Sequence, residues 1–130
     1  MPVVNIAIDG PSGAGKSTIS KTCAKTLGYI YVDTGALYRC VGLAVKRAGI
    51  DKNDEAAVTA LLPTITVGFT YADGVQRTLL SGEDVSGKIR TEEISMYASV
   101  VSAMPAVRKF LLESQRKIAR ENNVIMDGRD

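Results

Sequence analysis

The sequence predicts an α/β fold, a parallel sheet covered by helices. Three observations predict it. Short β-branched apolar runs near residues 3–8, 29–32 and 123–127 alternate with stretches of helical periodicity. A glycine-rich loop stands between the first such run and the first helix. A strictly alternating segment in the middle of the chain interrupts this order like an insert.

The elements follow in order. "VVNIAI" (Val3–Ile8) reads as a buried parallel strand. After the loop, "KSTISKTCAKTLG" sets Ile19, Cys23 and Leu27 four apart on one predicted helical face, closed by Gly28. "YIYV" (Tyr29–Val32) is a second strand. "DTGALYRCVGLAVKRAG" places Leu37, Val41, Ala44, Val45 and Ala48 on one stripe, with Asp33 or Thr34 as N-cap and Gly49 as the stop. "NDEAAVTALL" is a short helix ended by Pro63. Ile65, Val67, Phe69 and Tyr71 then alternate, Asp73-Gly74 turns the chain, and "VQRTLL" returns as the second strand of a hairpin.

"SGEDVSGKIR" reads as a polar loop. "TEEISMYASVVSAM" opens with a Thr cap and two acids, then sets Ile94, Tyr97, Ala98 and Val101 at helical spacing. "PAVRKFLLESQRKIAREN" starts with Pro105 in a first-turn position and puts Val107, Phe110, Leu111 and Ile118 on one face. "NVIMD" is the third core strand. The chain stops at "VIMDGRD", straight after an apolar run, as a piece of a longer protein would.

Composition narrows the class. The 130 residues suffice for one domain with its own core, and their apolar and charged fractions are those of an ordinary globular protein. Sixteen basic and fourteen acidic residues leave a net charge of +2, too small to argue for nucleic acid or a membrane surface. No histidine is present, and Cys23 and Cys40 lack metal-ligand spacing, so they are expected as reduced thiols in a cytoplasmic protein. No signal peptide or spanning segment is expected.

Gly10-Pro11-Ser12-Gly13-Ala14-Gly15-Lys16-Ser17, followed by Thr18, fits G-x-x-x-x-G-K-[ST] throughout. The chemistry requires these types. Glycines let successive backbone N–H groups point inward at phosphate oxygens, and the next helix adds the positive end of its dipole. The lysine reaches the β- and γ-phosphates, and the Ser17 hydroxyl is a Mg²⁺ ligand. Asp127, ending the third strand, is the candidate second metal-side carboxylate, although Asp-Gly is also a common turn pair.

Arg39, Arg108 and Arg129 lie far apart in sequence, each in or beside an element leading toward the strand ends. Any one alone reads more readily as a solvated surface charge. Three together would make a phosphate acceptor site, because guanidinium forks match phosphate oxygens.

"IDGPSGAGKST", "DTGALYR", "GEDVSGKIR", "VSAMPAVRKFLLESQR" and "MDGRD", in this order and spacing, resemble the N-terminal part of bacterial cytidylate kinases. The resemblance covers nearly the whole chain. It implies a three-layer nucleoside-monophosphate-kinase fold cut before its lid and last core strands. Residues 1–63 and 105–130 would belong to the core, and 64–104 to a monophosphate-binding insert. It implies ATP as co-substrate with Mg²⁺, CMP or dCMP as acceptor, no nucleic-acid or membrane partner, and a monomeric whole protein.

Lys16, Arg39 and Arg129 would carry the transfer. Thr34 (a serine in many relatives), Arg39 and Arg129 would face the acceptor's phosphate and ribose, and Ser99, Arg108 and Asp130 would read cytosine. Taken without the resemblance, Ser99 is a helix hydroxyl bonded to its own backbone. These 130 residues alone are expected to be nearly inactive. Two rivals stand beside this reading: a P-loop kinase for another small acceptor, and a non-catalytic nucleotide-binding module.

Overall fold

The computed structural model describes residues 3–8 and 16–127, the side chains of residues 16, 17 and 127 excepted. The chain divides into two compact units, residues 1–33 with 115–130, and residues 34–114.

The first unit is built on a parallel sheet. Strand β1 (Asn5–Ile8) is followed by helix α1 (Lys16–Leu27) and strand β2 (Ile30–Tyr31), and strand β6 (Val124–Asp127) returns from much later in the chain. The order is β1-β6-β2, all parallel, so the last strand is the central one. Val124 and Ile125 are accordingly buried. The first strand, expected to be buried, is instead an edge: Asn5 and Ala7 are exposed, and Ile6 and Ile8 only half-buried. An apolar β-branched run marks strand propensity, whereas burial depends on which strand is laid against it. Ala24, Tyr31 and Ile125 form the small core, with Ile6, Ile8, Cys23 and Tyr29 packed around it.

Helix α1 packs on β6 and β2, but only Cys23 of the expected stripe takes part. Ser20 and Ala24 are buried, while Ile19 and Leu27 are each 52% exposed. The four-residue spacing is the same, one position on. Periodicity reports that a helix has stripes; small side chains, which let the helix lie closer to the sheet, select which stripe packs. Gly28 closes α1 with φ +71°, and the Tyr29 N–H donates to the Ala24 carbonyl at 2.9 Å, a Schellman-type end.

The second unit pairs helices with an antiparallel sheet. Helix α2 (Thr34–Arg47) ends in the same way at Gly49, with Ile50 N–H donating to Val45 O at 3.2 Å. Leu37, Val41, Ala44 and Val45 are buried as expected; Ala48 lies past the helix end and is exposed. Helix α3 (Glu55–Leu61) is capped by Asp54, whose carboxylate accepts from Ala57 N–H at 3.1 Å. Pro63 sits in a 3₁₀ turn, Leu62–Thr64, that follows directly.

Strands β3 (Val67–Ala72) and β4 (Val75–Leu80) form the expected hairpin, with Asp73 and Gly74 both at positive φ as a type I′ turn requires. A second tight turn follows where a polar loop was expected. Ser81 (φ +49°) and Gly82 (φ +85°) bring β5 (Glu83–Asp84) antiparallel onto β4. Glu and Asp are poor strand formers, so only the Ser-Gly pair signalled this turn.

Helix α4 (Glu92–Val101) is capped by Thr91, whose hydroxyl accepts from Ile94 N–H at 3.2 Å. Helix α5 (Pro105–Glu121) buries Val107, Leu111 and Ile118 along one face and leads on to β6. The core of this unit joins Ala36, Cys40, Leu43 and Ala44 of α2 to Leu80, Val85, Ile89 and Ile94, with Leu61, Ile65, Val67 and Phe69 packed against it.

Candidate functional site

In the first unit, strand β1 ends at Ile8 and helix α1 begins at Lys16. The G-x-x-x-x-G-K-[ST] segment therefore joins a strand to a helix, the context that phosphate cradling needs. In the parallel register Ile8 pairs with Asp127. The residue before the loop and the acid closing the central strand thus stand side by side at the carboxyl ends of adjacent strands, where open α/β sheets bind ligands. Thr18 is exposed in the first turn of α1. Gly10, Pro11, Ser12, Gly13, Ala14 and Gly15 lie outside the described residues, as do the side chains of Lys16, Ser17 and Asp127.

In the second unit, α2 and α4 pack closely. A Cβ on Gly42 would stand 3.0 Å from the Ala98 nitrogen, 3.0 Å from Tyr97 Cβ and 3.3 Å from the Ile94 carbonyl, so a larger residue there would have to push α4 back by a few tenths of an ångström. Arg39 lies three residues earlier on α2, on the same side as Gly42. It is half-buried, and its Nε donates to the Ser95 hydroxyl of α4 at 3.5 Å. Ser99 is exposed one turn further along α4. Its hydroxyl makes no hydrogen bond among the described residues; the hydroxyl that bonds back along this helix is that of Ser102, which donates to the Ser99 carbonyl at 2.9 Å.

Thr34 is the exposed first residue of α2, and Arg108 is exposed in the first turn of α5. Arg129 and Asp130 lie outside the described residues. The structure therefore brings Arg39 to the serine-bearing helix. Ser95 escaped the sequence reading. Its only signal was a position four before Ser99 on a predicted helix, and which helix faces Arg39 is a tertiary fact.

The strongest electrostatic cluster lies elsewhere in this unit. Glu83 accepts a two-pronged contact from Arg47, at 2.7 and 3.1 Å, and another from Lys88 at 2.7 Å. Those hydrogen bonds hold its carboxyl down at about 2, Arg47's contribution being the larger, and the same contact raises Arg47. Asp84 is lowered chiefly by hydrogen bonds from Ser86, whose N–H donates at 3.0 Å. Arg47 and Lys88 are exposed ion-pair partners of Glu83, and the Arg47–Glu83 pair ties the end of α2 to β5. Burial raises the Cys40 thiol to about 12.

Among the described residues no group of three or more metal-ligating side chains gathers. Ser17 and Asp127 would supply two hard oxygen donors, a set that suits an ion keeping most of its remaining sites for water and phosphate oxygens, as Mg²⁺ does.

Comparison with known proteins gives a consistent picture. A family model described as "Cytidylate kinase" matches residues 6–130. The chain is 51% identical over all its 130 residues to a cytidylate kinase of Caldicellulosiruptor bescii, covering 58% of that relative. It is 50% identical over 125 residues (96% of the chain) to one from Syntrophotalea carbinolica, covering 53% of it. It is also 50% identical over 127 residues (98% of the chain) to one from Citrifermentans bemidjiense, covering 54% of it. The chain thus spans a little over half the length of the curated relatives it matches. Among the described residues, no helix is long and apolar enough to cross a membrane.

Proposed function

The chain belongs to the cytidylate kinase family, and on that premise we propose that the whole protein transfers the γ-phosphoryl group of ATP to CMP or dCMP. An acceptor phosphate oxygen attacks the γ-phosphorus. The bond from that phosphorus to the β,γ-bridging oxygen breaks, giving ADP and CDP or dCDP. The observation that carries this reading is the strand–loop–helix placement of the glycine-rich segment, with Asp127 level with Ile8 in the adjacent strand.

The proposed roles follow from the residue types. The backbone N–H groups of the loop from Gly10 to Gly15, other than Pro11, which has none, and the start of α1 hold the triphosphate, and Lys16 binds its β- and γ-oxygens. Ser17 and Asp127 would hold Mg²⁺, which neutralises phosphate charge when bound. Such transfers need little acid–base work; positioning and charge neutralisation dominate. Arg39 and Arg129, with the Thr34 hydroxyl, seat the acceptor phosphate and ribose, and residues 64–104 serve as the acceptor-binding insert. Ser99, Arg108 and Asp130 read the base.

Asp130 suits cytosine because its carboxylate accepts from the exocyclic amino group. Uracil offers an oxygen there instead, and the unmet pair costs about 1–3 kcal/mol. The protein acts as a cytoplasmic monomer.

A coupled ADP-release assay on the full-length protein with CMP, dCMP, UMP, AMP and shikimate tests this. CMP and dCMP are expected to lead UMP by about five- to 150-fold. Lys16→Ala is expected to collapse turnover while CMP binding persists. Preference for another acceptor, or no acceptor-dependent ADP release at all, would replace the reading with one of its rivals. The 130 residues by themselves are expected to turn over far more slowly than the full-length protein.

A further inference from the structure

We infer that Ser95 is a positioning residue for Arg39, acting on the acceptor side of the reaction through the α2–α4 crossing. The inference rests on the proposed reading of Arg39 as an acceptor-phosphate arginine.

A guanidinium has two usable edges, one containing Nε and one formed by the two terminal nitrogens. Ser95 occupies the Nε position, with 3.5 Å between Nε and its hydroxyl oxygen. The two terminal nitrogens are left for a pair of phosphate oxygens, the two-pronged contact that gives arginine its selectivity for such groups. The identity of the tether matters as well. A carboxylate there would cancel the positive charge, whereas a hydroxyl orients the group and leaves the charge intact. Among the described residues Arg39 forms no ion pair, in contrast to Lys46, Arg47, Arg77 and Lys88 of the same unit.

The tether depends on how the helices meet. Gly42 lets the Ile94–Ala98 stretch of α4 approach to about the limit of contact, and Ser95 lies inside that stretch. Arg39 shares a side of α2 with Gly42, so the close crossing delivers the hydroxyl to the guanidinium. Ser99, one turn beyond Ser95, follows on the same side of α4. A distance of 3.5 Å is long for a hydrogen bond, and contacts of this kind in unliganded sites commonly shorten once the ligand engages.

The test is steady-state kinetics on the full-length protein carrying Ser95→Ala, Ser95→Thr, Arg39→Ala and the double change Arg39→Ala/Ser95→Ala. Ser95→Ala is expected to raise KM for CMP about three- to tenfold, the scale of one orienting hydrogen bond, while KM for ATP stays put. Ser95→Thr, which keeps the hydroxyl, is expected to restore it. On the Arg39→Ala background the Ser95 change is expected to add nothing, because two residues acting through one contact are not additive.

If Arg39→Ala raises KM for CMP but Ser95→Ala does not, or if the two effects add in full, Ser95 has no positioning role and the reading of Arg39 stands. If Arg39→Ala leaves KM for CMP unchanged, the reading of Arg39 falls and the role of Ser95 falls with it.

Discussion

Cys40 and Cys23 are both free thiols, yet their surroundings separate them. Cys40 is fully buried in the α2 core, and burial lifts its thiol from the ordinary 9.0 to about 12. Cys23 is only half-buried on α1. A thiolate is the reactive form, so a neutral aromatic disulfide reagent is expected to label Cys23 in the native protein and Cys40 only after unfolding. Equal native labelling would mean that α2 opens far more easily than its packing implies. The linkage sign is fixed by the same shift. The unfolded thiol loses its proton near 9.0 while the folded one holds it, so this contribution to stability is complete below 9 and is lost as pH rises toward 12. The candidate site was legible at this scale wherever chemistry dictates residue type. Lys16, Ser17 and Asp127 stand out by motif and strand-end position, and Arg39 by the family resemblance. Ser95 does not, since a serine on a helix is ordinary until something is shown to face it.

Elements were legible in proportion to how local their causes are. The Thr91 cap, the glycine stops at Gly28 and Gly49, and the Asp73-Gly74 turn all formed where the sequence placed them, because each is settled within about one helical turn of chain. The packing stripe of α1 and the strand at Glu83–Asp84 were not, because a partner surface selects them. Gly42 is the sharpest case. Within a helix its replacement by alanine gains about 1 kcal/mol of propensity, but the added Cβ meets rigid backbone and Cβ atoms of α4 at 3.0 Å, an overpacking cost of about 1–3 kcal/mol. Gly42→Ala is therefore expected to lose about 1 kcal/mol in urea unfolding. A gain would show that α4 moves away without penalty.

At the scale of the whole molecule, each unit has its own apolar cluster. Acid stability is expected to draw on ion pairs of the second unit. Glu83 is held at about 2 against an ordinary 4.5, and Asp84 is also lowered. A carboxyl depressed in the fold stabilises it above its unfolded value, and that contribution disappears as pH falls through the folded value. Thermal midpoints are thus expected to drop between about pH 4.5 and 2, and less steeply in Glu83→Gln; an identical acid slope in that variant would leave the Arg47–Glu83–Lys88 contacts without a role in stability.

The sequence by itself determined the α/β class, the strand–loop–helix setting of the phosphate motif, the first hairpin, and the caps. These follow from backbone sterics and spacing over a few residues. Only the tertiary structure decided that the last strand is central, that α1 packs through serine and alanine, and that Ser95 meets Arg39 across the Gly42 crossing. Those outcomes join residues up to 119 positions apart, such as Ile8 and Asp127, and the contact free energy that selects them exists only once both surfaces are in place.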